Sequence, residues 1–162
     1  MDRQQIGVRL AAKGLKLRFQ IKTFEDRLIM QKAVYLAQAV GVNLGYYYHW
    51  YLYGPYSRSL TRDEFAIAMD ISAGMDEAER WKLDDESSKR LEEIGGIFAE
   101  ADRSKLARKL ELLASVHFLL DRKQVSKVDT SQITATLERF NKDFSEEDVK
   151  GALEELKTYG LV

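Results

Sequence analysis

From Ala33 to Ser57 the chain carries no Asp, Glu, Lys or Arg. This uncharged stretch holds seven of the eight tyrosines, one of the two tryptophans and the only proline, Pro55. On length alone it reaches the roughly 20 residues needed to cross a bilayer. Gln38, Gly41, Asn43, Gly45, His49 and the Gly54-Pro55 break interrupt it, however, so a buried helix followed by a buried strand fits better and no membrane contact is expected.

The rest of the chain fits one domain. Its 162 residues are 45% apolar and 31% charged, and a chain this long buries about two-thirds of its unfolded surface in one core. With no cysteine there is no disulfide framework, thiolate metal site or Cys nucleophile, which suits a reducing compartment. Met1 to Gln5 lacks the basic start and apolar core of a secretory signal, so a cytoplasmic location is expected. No repeat, low-complexity tract or Gly/Ser/Pro-rich linker divides residues 1–162.

Helices are marked by their ends. A first segment runs from about Gln4 to Lys13. Thr23 precedes a helix with Ile29, Ala33, Leu36 and Val40 on one stripe, and Gly41 stands where a left-handed stop belongs. Between them Leu15 to Lys22 alternates with strand periodicity, which also suits an extended connector. Tyr46 to Tyr53 is β-prone, with aromatic or apolar residues on both faces, so cover on both sides is expected, with Gly54-Pro55 as the corner. Thr61 and Glu64 fit a capping box and Leu60 and Phe65 a hydrophobic staple, for a helix that stops at Gly74.

Further helices are expected over Ser87 to Ala101, weakened at Gly95-Gly96, and over Leu106 to Leu120, where Leu106, Leu110, Leu113 and Leu120 form one line. Ile133, Leu137 and Phe140 mark another. Ser145 with Asp148 caps the last, with Phe144 and Val149 as its staple. Residues 128–162 thus have helix-turn-helix form within the same core, and Ile6 and Leu10 of the first helix are placed to pack beside it. The sequence stops at Val162, so a wingless unit is expected. The fold class is mainly α: a compact multi-helix domain with a small β element, a strand near 46–53.

Little here supports catalysis. There is no nucleophile elbow and no phosphate cradle, and only His49 and His117 could serve as bases. His117 falls on the leucine line and reads as a satisfied core histidine, His49 as a hydrogen-bonded packing residue inside the strand. Asp84-Asp85-Glu86 reads as a helix cap. No catalytic, cofactor-binding or metal-binding residues are expected, since no spacing matches a metal set.

Charge is divided by region. Residues 1–32 carry eight basic and three acidic side chains, 63–101 four and twelve, 103–127 seven and two, and 128–162 four and eight. Solvated faces that neutralise one another across the fold explain this most simply. The alternative is a basic groove for nucleic acid joining Arg9, Lys13, Arg18, Arg108 and Lys109. The last helix cannot read DNA, because Ser145 to Tyr159 holds five acidic and two basic residues, whereas phosphate contact rests on Lys and Arg.

Two blocks carry a resemblance. Arg27 to Gln38 includes Met30-Gln31-Lys32 and Tyr35. Gly45-Tyr46 and then Trp50-Tyr51-Leu52-Tyr53-Gly54-Pro55-Tyr56-Ser57 follow. The pattern resembles the YwgA-like proteins of bacteria and archaea and, more distantly, is similar to the Panacea (SocA-like antitoxin) domain. Residues 112–119 resemble a weaker third block. Met30 departs from the Leu usual in the Panacea pattern, and Tyr56-Ser57 from the Val often found there.

The resemblance implies a mainly helical fold and, at the Panacea end, neutralisation of toxins by protein contact. The expected function is a non-enzymatic protein-interaction module, antitoxin- or adaptor-like. Gln31, Lys32, Tyr35, Trp50, Tyr53, Gly54, Pro55, Tyr56 and Ser57 form its binding or structural signature. The alternative is a nucleic-acid-binding regulator using segments 1–32 and 103–127.

Overall fold

A computed structural model describes residues 1–126 and 128–162. Among the described residues, seven α-helices and one hairpin follow each other: α1 (Arg3–Gly14), α2 (Phe24–Ala39), β1 (His49–Tyr51), β2 (Gly54–Tyr56), α3 (Arg58–Ser72), α4 (Asp85–Ile94), α5 (Arg103–Asp121), α6 (Thr130–Arg139) and α7 (Glu146–Thr158). Short 3₁₀ turns occupy Glu77–Arg80 and Gly95–Phe98. The second begins at the glycine pair, where the weak helical propensity of glycine lets the α-helix tighten.

Helix starts follow local chemistry. Capping boxes close at Asp2 with Gln5, Thr23 with Asp26, and Ser145 with Asp148, each satisfying two otherwise orphaned N–H groups. Asp84 caps α4 as the acidic run implied. Gly41 and Gly74 stand just past α2 and α3 at φ of 94° and 74°, conformations that L side chains resist.

The interior is built on α2 and α5, which pack together at the centre with α7 against α5 and α6 against α7. Leu36, Ala37, Leu110, Leu113 and Ala114 meet there, all within 1% of full burial. The main apolar cluster is continuous from Val8 to Leu161.

Six expectations are corrected. The strand over 46–53 is three residues long. Burial alternates from Val42 to Tyr48, as a period of two demands, but hydrogen-bonded pairing occurs only between β1 and β2, with His49 opposite Tyr56, Trp50 opposite Pro55 and Tyr51 opposite Gly54. With no third strand among the described residues, one face stays open: Tyr46 and Tyr48 are buried while Tyr47, His49, Tyr51 and Tyr53 are exposed. The corner is Leu52-Tyr53, and Gly54-Pro55 lies in β2, with Gly54 in the left-handed region at φ 86°.

Helix α3 starts at Arg58 with Ser57 as its cap, so Thr61 and Glu64 are interior to the helix and Phe65 is exposed. Leu60, Glu64 and Ile67 form its buried stripe. Helix α1 packs on α2, α3 and α4 rather than beside the C-terminal pair. His49 is exposed, its ring edge-on to Tyr56, and is not a packing residue of the interior. Residues 15–22 form a connector, with Leu15, Leu17 and Ile21 turned inward.

Truncation of a central leucine tests the α2–α5 contact. Leu113→Ala should cost about 2–5 kcal/mol in denaturant unfolding, and more than Leu112→Ala, whose side chain is only partly buried.

Candidate functional site

The uncharged stretch forms a hairpin with an aromatic outer face and a polar base. Two residues of α2 hold the base. Gln31 uses both ends of its carboxamide on one residue: Nε2 donates to the Ser57 carbonyl at 2.9 Å and Oε1 accepts from the Ser57 N–H at 3.0 Å. Its Nε2 also donates to Thr61 Oγ1, which in turn donates to Tyr56 Oη. Tyr48 Oη donates to the Gln31 carbonyl at 2.9 Å.

Lys32, 1% exposed, donates to the Pro55 carbonyl at 2.6 Å. One turn on, Tyr35 packs edge-on against Tyr48, and its hydroxyl meets Nδ1 of His117, which is partly buried at the edge of the core, at 2.7 Å. Burial holds the His117 pKa below its ordinary value.

A second lysine grips the other side of the corner. Lys142 Nζ, buried in the turn between α6 and α7, donates to the Leu52 carbonyl and to Glu111 Oε1, both at 2.9 Å. It lies 5.5 Å from the Trp50 ring centre and 5.8 Å from that of Tyr53, within cation–π range. Trp50 packs on Phe118 and Phe140. Beneath the corner, Gly54 lies against α5 so closely that a Cβ there would meet Ser115 Oγ at 2.3 Å, so only glycine fits.

Glu64 completes the base. It is wholly buried, and neither carboxyl oxygen has a hydrogen-bond partner among the described residues. A charge there is expensive, and burial pushes its pKa up to about 8, against the pull of Arg27 and Lys32. Burial brings Lys32 down to about 7, with Lys142 adding to the fall and Glu111 and Glu64 opposing it.

All nine residues of the expected signature lie on the hairpin, on the α2 face beneath it or at the α3 cap it leads into. Glu64, Glu111, Ser115 and Lys142 join them unannounced. A charge on the Leu60–Glu64–Ile67 stripe was the only local sign of Glu64; Lys142 carried none.

The five basic residues of the alternative are divided. Arg9 pairs with Asp76 at 2.6 Å. Lys109 pairs with Glu155 at 2.8 Å, and Arg108 stacks on Phe144 and donates to the Asp143 carbonyl. Lys13 is exposed on α1. Arg18 lines a cavity that also holds Glu92 and Glu100. The Arg9–Asp76, Lys109–Glu155 and Lys142–Glu111 pairs each link a basic region to an acidic one, whereas Arg103 on Asp26 joins two basic regions. Among the described residues, no helix is long and apolar enough to cross a membrane.

Protonation of the base has opposed effects on stability. The folded chain keeps Glu64 protonated between its ordinary 4.5 and about 8, where the unfolded chain releases the proton, so this group lowers stability as pH rises across that window. Lys32 does the reverse between about 7 and its ordinary 10.5, adding stability as pH rises. The Tm advantage of Glu64→Gln over the wild type should therefore grow from about pH 5 to about pH 8, measured by thermal melts; a constant difference would contradict the assignment.

Comparison of the chain with known protein families, with curated proteins and with solved structures finds no match, so what this site does rests on its own residues.

Proposed function

We propose that this chain is a cytoplasmic protein-interaction module without catalytic activity and that the open face of the hairpin is its contact surface. One observation carries this: Tyr51 and Tyr53 on the hairpin and Tyr47 in the segment entering it are 53%, 44% and 75% exposed, and the base of the hairpin is tied at Leu52, Pro55 and Ser57. Tyrosines held rigidly are favoured binding anchors, because they bring large amphipathic area at low entropic cost. Two of these rings have aromatic neighbours of their own. Tyr51 lies 5.3 Å from Tyr56 between ring centres, and Tyr53 lies 4.8 Å from Phe24.

Resemblance to the YwgA-like and Panacea proteins adds the antitoxin- or adaptor-like form, in which neutralisation proceeds by contact. The helix-turn-helix order of α6 and α7 fits this as a packing or contact unit, since α7 is acidic. The nucleic-acid alternative has less support, because Arg9, Arg108 and Lys109 already meet carboxylates or carbonyls of their own chain.

The double variant Tyr47→Ala/Tyr51→Ala tests the surface. It should lose the partners that the wild-type chain captures from its own cell extract, while unfolding within about 1 kcal/mol of wild type, as exposed substitutions do. Capture unchanged by the substitutions would contradict the proposal. Electrophoretic retardation of DNA should be absent even at low salt; retardation that weakens steeply with salt would favour the alternative.

A further inference from the structure

The apolar residues Ile6 and Leu10 of α1 are only partly buried, and the C-terminal pair does not cover them. They line a groove of about 1020 Å³, the size of a ligand site. The opposite walls are Leu44 of the segment leading to the hairpin and Trp81 and Leu83 before α4. Trp81 is 62% exposed, although a side chain this large usually finds a wall of its own. Arg3 and Lys82 stand exposed along the same groove, and neither pairs with a carboxylate among the described residues.

The walls are fixed in place. Gln4 Nε2 donates to the Leu44 carbonyl at 3.1 Å, tying the segment to α1, and Arg90 donates to the Gly41 carbonyl at 2.8 Å from α4. Asp84, the carboxylate in the lining, has both oxygens engaged by Ser87 as the cap of α4. Gly7 and Gly45 leave the groove free of side chains at two points, and Gly45, at φ 79°, lies where a Cβ would crowd Gln4.

We propose that this groove binds a small amphiphile with a flat apolar body and one anionic head. The body would lie on Trp81 between the α1 stripe and Leu44. The head, a carboxylate, sulfonate or phosphate, would be taken by Arg3 and Lys82, whose charges are otherwise unspent. This site is separate from the hairpin and does not depend on the contact surface proposed there.

Titration with 8-anilinonaphthalene-1-sulfonate tests it, beside N-phenyl-1-naphthylamine, which has similar rings and no sulfonate. The sulfonate should bind one to one and quench tryptophan emission by energy transfer, and Trp81→Phe should bind it with reduced quenching. Arg3→Ala/Lys82→Ala, both substitutions at exposed positions, should melt like the wild type and bind the sulfonate about tenfold more weakly, while binding the uncharged probe as the wild type does. Equal sulfonate affinity in wild type and double variant, or quenching undiminished in Trp81→Phe, would overturn the proposal.

Discussion

The carboxamide of Gln31 closes two hydrogen bonds on the backbone of Ser57, and the ammonium of the next residue takes the carbonyl of Pro55. Isolated two-stranded hairpins are marginal in water, and this one has only three paired positions on each strand. Its geometry depends on those side-chain ties and on Lys142 at Leu52, each engaging a backbone group that the two-stranded ladder does not pair. The same ties set where α3 begins. Gln31 holds the Ser57 N–H outside the helix, while the Ser57 carbonyl also accepts from the Thr61 N–H and its hydroxyl from the Leu60 N–H, so Ser57 serves as the cap.

Holding the hairpin this way puts Lys32 and Glu64 under the aromatic layer, where neither is comfortable when charged. Removing an ion from water costs several kcal/mol unless a partner compensates. Lys142 has such a partner in Glu111; Lys32 has a single carbonyl, and Glu64 has none. The base responds by favouring neutral forms, so the region beneath the exposed rings is sensitive to protonation near neutrality. A buried base that is poised in this way and a rigid open face are two sides of one arrangement.

Part of the charge elsewhere is paired within the chain. The basic first segment meets the acidic second region at Asp76, and the basic α5 meets the acidic C-terminal region at Glu155, while Lys142 of that region pairs with Glu111 of α5. Neutralisation across the fold accounts for a chain whose regions differ strongly in sign while the whole is at −1. Such pairs contribute little individually at the surface, but they leave few cations along any one face to meet a polyanion.

Local chemistry in the sequence determined the helices: the capping boxes at Thr23 and Ser145, the stop at Gly41 and the leucine line of α5 each act within a few residues, and each appears where those residues put it. It also located the cluster around Pro55, because a stretch without charge must be covered or anchored somewhere. Three things were decided only by tertiary contact. Strand length depended on whether a neighbouring strand existed, which periodicity cannot say. The start of α3 depended on Gln31, 26 residues away from Ser57. The polar base depended on Glu64, Glu111 and Lys142 arriving from three separate elements, where the cost and the compensation of burial are set by distances that no local pattern encodes.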